Sequence, residues 1–414
     1  MRVLFILHQF YPEFRGGTEN VALKLAKAAQ RAGHYAHVLA CTLVPGGEHP
    51  SASLPHALET VHEGVPVTLL PRSLMSAPIE YSFETNDFLV DTLITWLKHQ
   101  HFDIAHILHP MRMASALLAV QRCRLPYVVS LTDFFFICFR INMIDMAGQL
   151  CPGSQSGARC ADQCHCVPWS HEGLKNRYLQ AQGLLTAAGA RVCPSRYVAD
   201  RYQQAFPELE FSVIPHGLDL SFLAAHVNTV STPAKNGLAL GYIGTIVPQK
   251  GLVTLLRAFS SVTDSRLKLL VIGGFHGDPI YHGEVKKLIK ADPRIQLIGE
   301  VLPEQVYQLL QSIDLLCLPS LVPESFSLVL DEAAAVGVPA LVSDLGAPAE
   351  RVEPYGCGAV LPAGDIAAWT TAIAEVVAQP DCIASWRANL PLPLRIEEEA
   401  FFYESLYRRL LLST

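Results

Sequence analysis

Charge is sparse in this chain. Only 17% of its 414 residues are Asp, Glu, Lys or Arg, and the acidic residues outnumber the basic ones, 38 to 31, for a formal net charge of −7. A protein that holds nucleic acid by general electrostatic attraction needs a basic surplus. That class is excluded, whereas a local basic pocket for a phosphate is not. Half the residues are apolar and the mean hydropathy is positive, yet no run reaches the roughly 18 apolar residues of a spanning helix. The opening, MRVLFILHQFYPEFRGG, has a short apolar stretch and no small-residue cleavage site after it. It reads as a buried first strand rather than a signal peptide, and the chain is expected in the cytoplasm. Eleven cysteines are too dilute for a disulfide scaffold, which fits a reducing compartment. Two nucleotide fingerprints are missing as well. No G-x-G-x-x-G follows the first strand, which disfavours a nicotinamide enzyme. In GYIGTIVPQKG, Gln249 stands where a Walker P-loop has glycine and Gly251 where it has Ser or Thr, so an ATPase of that type is not supported.

What is present is an alternation of apolar strands and helical patterns. At about 100–200 residues per domain, the length suggests two or three domains. Residues 2–8 form a continuous apolar run, as in a parallel strand buried on both faces. Residues 18–32 follow with Val21, Leu25 and Ala29 at helical spacing and Gly33 as the stop. Further strands are predicted at 37–41, 65–70, 104–108, 127–131 and 190–193, with helices between them. Residues 227–237 are small, polar and aperiodic and read as a linker. Alternation then restarts with strands at 238–244, 268–274, 295–301, 314–320 and 339–344. The expected fold is α/β, with two doubly wound, Rossmann-like domains at 1–225 and 226–395. A helix at 396–414, opening on three glutamates that suit a helix N-terminus, packs back on a domain. Such sheets bind ligands at the carboxyl ends of their strands, so the expected site is a cleft between the two domains.

Three groups of residues suggest chemistry. Gly16 and Gly17 close the loop after the first strand, with Thr18 as an expected N-cap; backbone amides there could approach an anion, although on this motif alone an ordinary turn is the better explanation. Lys250 follows a strand end between Gly244 and Gly251, where a ligand phosphate would lie. The sharpest pattern is PSLVPESFSLVLDEAAAVGVP. It reads as a strand, a turn and a helix from about 325 to 336, whose free amides at Phe326, Ser327 and Leu328 could bind a diphosphate. Glu324 and Glu332 are eight residues apart. At 1.5 Å rise per residue that is about 12 Å along a helix, too far to share a proton, so the two carboxylates would bind separate hydroxyl-bearing parts of one extended ligand. Carboxylates that merely complement the helix dipole are the plain alternative.

The E-x₇-E pattern from Glu324 to Glu332 resembles the family 4 glycosyltransferases, which have the GT-B fold of two facing Rossmann-like domains. The resemblance covers essentially the whole chain. HQFYPEFRGGTE is similar to the family's opening loop and VIPHGLD to the end of its first domain. GYIGTIVPQKG resembles its first donor-side loop, SDLGAPAE its late loop, and RIEEEAFFYESLYRRLL its closing helix. The resemblance implies a donor site. Gly17 would approach the donor diphosphate and Lys250, near Gly244 and Thr245, would neutralise it. Glu324 would contact the donor sugar, the amides of Phe326, Ser327 and Leu328 its sugar and phosphate, Glu332 the ribose, and the backbone near Val301 the base. It also implies a hexosyltransferase-type reaction that retains anomeric configuration without a catalytic metal. The donor would be a nucleotide sugar and the acceptor a glycan, a lipid-linked molecule or a small molecule, with peripheral membrane contact and a role in polysaccharide biosynthesis as corollaries. A nucleotide-sugar 2-epimerase and an inactive sugar-nucleotide sensor on the same fold are the alternatives.

Two positions depart from the family pattern. Thr245 stands where an arginine is usual, so one charge contact to phosphate is missing. Thr132 stands where a histidine beside the reacting sugar is common, leaving Asp133 and His109 as candidates for its role. The segment from Cys138 to Cys166, with Cys151, Cys160, Cys164 and the nearby His165 and His171, is open to two readings. It is a structural zinc site, although paired C-x₂-C knuckles are lacking, or a plain loop over the acceptor.

Overall fold

A computed structural model describes residues 1–43, 54, 56–75, 81–164, 170–226 and 237–413. The chain forms two compact units, Met1–Gly217 with Ile396–Thr414, and Leu218–Arg395. The first holds an eight-stranded sheet. Its strands are β1 Arg2–Ile6, β2 Tyr35–Thr42, β3 Leu58–His62, β4 Val65–Pro71, β5 Ile104–Ile107, β6 Tyr127–Ser130, β7 Ala190–Cys193 and β8 Ser212–Val213, ordered β3-β4-β2-β1-β5-β6-β7-β8. All neighbours pair in parallel except the edge strand β3, antiparallel to β4. The second unit's strands are β9 Leu238–Ile243, β10 Leu267–Ile272, β11 Ile295–Gly299, β12 Leu315–Leu318, β13 Ala340–Ser343 and β14 Gly358–Leu361. They are ordered β11-β10-β9-β12-β13-β14 and parallel throughout. Each parallel sheet reverses its winding once, between β1 and β5 in the first unit and between β9 and β12 in the second. Loops leaving the carboxyl ends on either side of such a reversal splay apart and leave room for a ligand.

The strands form where they do because both faces of each sheet are covered. Leu4, Ile6, Ala105, Ile107 and Val129 are at most 1% exposed within one apolar cluster that includes Trp96. In the second unit Leu240, Leu269, Leu315 and Leu341 pack with Trp369 on one face, and Leu316 and Val342 with Leu310 on the other. Continuous apolar runs are therefore legible as strands. β3 is not such a run: Glu59, Thr60 and Val61 are exposed, and no strand is predicted there. β14, a short Gly-Ala-Val-Leu, is likewise a strand that the sequence pattern does not predict.

The first crossing between the units falls after Gly217, ahead of the 225/226 division read from the sequence. The helix Leu220–His226 belongs with the second unit because Leu223 packs against its Leu310 and Leu316 cluster. Of the expected linker only Gly237 lies among the described residues. The helix Ile396–Ser413 returns to the first unit. Its Tyr403 and Tyr407 hydroxyls bond Ser130 and His106 at 2.6 Å, deep against β5 and β6. Glu399, 1% exposed, accepts from Gly217 N–H at 2.7 Å and bonds His216 Nδ1 at 3.0 Å. One carboxylate thus joins the residues at which the chain leaves the unit to the helix by which it returns. Glu399→Ala strands two buried polar groups and should cost about 2–4 kcal/mol of stability. Chemical denaturation followed by tryptophan fluorescence measures this, and a change under about 0.5 kcal/mol would show that the carboxylate is dispensable.

Candidate active site

In the second unit the expected donor residues gather at the winding reversal between β9 and β12. Lys250 follows β9 in a short turn, Pro248–Lys250, that ends at Gly251 with φ 67°. A Cβ on Gly251 would lie 1.8 Å from the Pro319 carbonyl oxygen, so only glycine lets this loop close on the end of β12. Leu321 N–H then donates to the Gln249 carbonyl at 2.8 Å, tying the two loops together. Through this contact Lys250 Nζ reaches Glu324 Oε1 at 3.1 Å. Glu324 also accepts from Ser320 Oγ, and the Ser327 hydroxyl bonds it as well. Its side chain is 9% exposed. Burial works against its charge, but Lys250 and the two serines outweigh that and hold the carboxyl below its ordinary range. Lys250, by contrast, is a third exposed, so the lysine is the more accessible member of the pair.

The late loop completes the clamp. Glu324 and Gly346 form a parallel β-bridge, and Ala347 N–H donates to the Glu324 carbonyl at 2.9 Å. Gly346 has φ 85°, and a Cβ there would lie 2.4 Å from Glu324 backbone atoms. Arg351 covers the bend that follows. It stacks 4.1 Å over the Phe326 ring, donates to the Phe326 carbonyl at 2.8 Å and pairs with Asp331. Asp331 is therefore an ion-pair partner rather than a free dipole carboxylate. Ser327 holds a left-handed conformation, φ 70°, uncommon for a non-glycine residue and typical of places where surrounding contacts fix the backbone for a purpose.

This geometry changes one expectation. The helix begins at Leu328 and ends at Ala335, with Ser327 as its N-cap, not at 325. The bend imposed by Arg351 and Ser327 takes Phe326 out of the helix, so Phe326 buries its ring and only Leu328 of the three expected amides belongs to the first turn. Glu332 lies half-buried within the helix. Burial foremost, then the charges of Glu332 and Asp219, pushes the Tyr307 hydroxyl up. Gly244 and the exposed Thr245 follow β9, and Val301 follows β11, so all these positions share the carboxyl edge of one sheet.

In the first unit the helix starts at Gly17 with Gly16 as N-cap. The expected cap, Thr18, instead donates to Thr132 Oγ1 at 3.3 Å. The capping group is Glu19, three residues into the helix, whose carboxylate reaches back to the Gly16 and Glu19 amides and to the Gln9 side chain. Burial raises its pKa. Gly17 itself is exposed, and a Cβ there would meet nothing within 4 Å. The fold has no need of glycine at this point, which isolates the ligand argument. Gly17→Ala should leave the melting temperature within a few degrees while raising the donor KM about tenfold if the backbone must approach a phosphate. An unchanged donor KM removes Gly17 from the site.

Thr132 is 8% exposed, donates to the Leu108 carbonyl at 3.0 Å and accepts from Thr18. Its hydroxyl is engaged within the fold. Beside it, His109 Nε2 lies 2.6 Å from Asp133 Oδ2. Of the two candidates left open by the sequence, the structure brings both together. In the cysteine segment, Cys138, Cys151 and Cys160 are buried and Cys164 half-buried. Cys166 and His165 lie outside the described residues. Among the described residues no group of three or more His, Cys, Asp or Glu is placed to hold a metal ion.

Comparison with known proteins agrees with this architecture. Residues 15–222 match the family model described as Glycosyltransferase Family 4, and residues 229–391 that described as Glycosyl transferases group 1. The phosphatidyl-myo-inositol mannosyltransferase of Mycobacterium leprae is 24% identical over 366 residues, covering 87% of this chain and 84% of that one. The D-inositol 3-phosphate glycosyltransferase of Nocardia farcinica is 28% identical over 209 residues, 47% of this chain and 44% of that one. Among solved structures, HepE of Anabaena in complex with UDP and glucose superposes with a TM-score of 0.70 at 17% identity, covering 98% of both chains. Sucrose-phosphate synthase of Thermosynechococcus elongatus gives 0.68 at 18% identity over the whole of both chains. Those two likenesses concern the fold, which is GT-B. With two doubly wound α/β domains and a family match over half the chain, this protein is a glycosyltransferase and belongs to Glycosyltransferase Family 4.

Proposed function

We propose that the protein moves a hexosyl group from a nucleoside diphosphate sugar to a hydroxyl of a glycan, lipid-linked or small-molecule acceptor, with retention of anomeric configuration. The observation that carries this reading is the Lys250–Glu324 pair, fixed at the winding reversal of the second sheet by Ser320, Ser327 and the Gly346 loop. A diphosphate leaving group gains about one negative charge, on the phosphate that held the sugar, as that bond breaks. A preorganised ammonium meets that charge without reorganisation. In this reading the diphosphate takes Lys250 as its counter-ion, Glu324 turns its carboxylate to the sugar hydroxyls, Glu332 holds the ribose, and the backbone near Val301 meets the base. Front-face displacement, with the leaving phosphate receiving the acceptor proton, gives retention. Because Lys250 supplies the charge, turnover is expected to persist in EDTA.

The names of the relatives lend support in kind. One is a mannosyltransferase acting on an inositol lipid, and one structural neighbour was solved with UDP and glucose. No helix among the described residues is long and apolar enough to cross a membrane; a cytoplasmic protein that meets its acceptor in solution or at a membrane surface fits the proposal. The test is incubation with a panel of UDP-, GDP- and ADP-hexoses, with and without acceptors, read by mass spectrometry. A transferase releases nucleoside diphosphate and depends on an acceptor for efficient turnover. Conversion of the sugar without an acceptor would make it an epimerase, and binding without chemistry a sensor.

A further inference from the structure

We propose that Asp133, held in place by His109, binds a hydroxyl group of a neutral sugar or cyclitol acceptor. This rests on the transferase reading above and extends it to the acceptor. His109 and Asp133 stand just past the ends of β5 and β6, neighbours at the carboxyl edge of the first sheet. The tautomer of His109 is set by its surroundings. Met111 N–H donates to Nδ1 at 3.2 Å, so Nδ1 is the acceptor and Nε2 carries the proton, which it donates to Asp133 Oδ2 at 2.6 Å. The ring is held between two others, His8 at 4.1 Å and Phe135 at 5.1 Å between centroids. Burial foremost, with the charge of Arg112 nearby, keeps His8 well below its ordinary pKa, so the ring beneath is uncharged near neutrality. Asp133 is fixed at its other end too. Its Oδ1 accepts from Phe135 N–H at 2.9 Å, and its backbone carbonyl accepts from Tyr202 at 2.8 Å.

The two members of this dyad differ in access. The His109 side chain is 2% exposed and that of Asp133 is 25% exposed. An ionised carboxylate has about four lone-pair directions and no proton to give. Here two are taken by neutral N–H donors, and no lysine or arginine forms an ion pair with it among the described residues. Arg177 is close enough to interact with its charge but directs its N–H groups to the Tyr81 and Phe135 carbonyls. What faces solvent is therefore a rigid anion that accepts only. Such a group bonds the hydroxyls of a polyol strongly, as a charge-assisted acceptor, and repels phosphate. Thr132 is a weaker acceptor: it is uncharged, its proton is given to Leu108, and one lone pair already accepts from Thr18. His109 acts through Asp133 and is a positioning residue.

The experiment uses the donor found by the panel, with myo-inositol and the methyl glycosides of glucose, galactose and mannose as acceptors. Donor hydrolysis without acceptor is the internal reference. Asp133→Asn should lower acceptor kcat/KM about 10- to 100-fold, while donor KM and donor hydrolysis stay within about threefold. His109→Gln, whose amide can still donate to Asp133, should retain acceptor kcat/KM within about fivefold, and His109→Ala should fall toward Asp133→Asn. Four results overturn the proposal. Donor hydrolysis could fall in parallel with transfer in Asp133→Asn, placing the carboxylate at the donor. Its acceptor kcat/KM could stay within threefold of the parent. His109→Gln could be as impaired as His109→Ala at equal melting temperature. Wild type could hydrolyse donor yet transfer to none of these polyols. Failure of the parent protein to bind or hydrolyse any nucleotide sugar is a different result, and it strikes the transferase reading itself.

Discussion

Replacing Lys250 by alanine should slow turnover about 10²-fold or more, the scale of losing one preorganised charge contact to a leaving group. The structure sharpens the experiment. Lys250 is the cationic partner of Glu324 at 3.1 Å, so alanine would remove the proposed counter-ion of the diphosphate and leave a mostly buried carboxylate with only its serine partners. The second effect would appear as lost stability, since an unpaired buried charge is costly, and the first as lost kcat with the fold intact. Lys250→Met keeps the apolar stem, and pairing it with Glu324→Gln removes both charges together. If Lys250 acts on the diphosphate, the double variant turns over far more slowly than Glu324→Gln alone, even when the melting temperature recovers. If its role is only to neutralise Glu324, the double variant matches Glu324→Gln alone. Near-normal turnover in Lys250→Ala alone would remove the lysine from the mechanism.

Most of the fold was legible because both faces of the parallel strands are buried. The runs at β1, β5, β9 and β12 are almost uninterrupted apolar text, and their shortness and the turn residues that follow them favour a covered strand over a buried helix. The exposed edge strand β3 could not be read this way, since its Glu59 and Thr60 carry no apolar signal and only its pairing with β4 defines it. The site was legible in part for a related reason. Residues that follow strand ends are ordered by the winding of the sheet, so Lys250 and Glu324 could be assigned to one edge from the strand order alone. Their direct contact could not, because it depends on Gly251 closing against Pro319 and on Gly346 pairing with Glu324, two long-range approaches without a periodic signature. Arg351 was missed for the same cause. It lies 25 residues from Phe326, and only the folded chain reveals that it shifts the helix start to Leu328. Thr18 misled through local chemistry: it is a good cap residue, but Glu19 won because a carboxylate meets helix-terminal amides more strongly than a hydroxyl does, which left Thr18 to bond Thr132.

Glu324 and Glu332 should separate in their kinetics if they act on different parts of one donor. The corrected helix start makes the contrast greater than the sequence spacing implied. Glu324 lies outside the helix, gripped by Ser320, Ser327, Lys250 and the Gly346 bridge, whereas Glu332 lies within it, close to Tyr307. A rigid carboxylate beside the proposed diphosphate counter-ion, Lys250, suits the reacting sugar, where charge changes most between ground and transition state. Glu324→Gln keeps the shape and loses the charge, so kcat should fall about 10- to 100-fold. A ribose contact is made equally in both states, so Glu332→Gln should raise donor KM and weaken nucleoside diphosphate binding by about tenfold while leaving kcat nearly unchanged. Steady-state kinetics with the donor, calorimetry with the free nucleoside diphosphate and melting temperatures for both variants decide the matter. If Glu332→Gln binds the diphosphate as well as the parent does and Glu324→Gln keeps its kcat, the two carboxylates only brace the loops around them, and the donor must be sought elsewhere on this edge of the sheet.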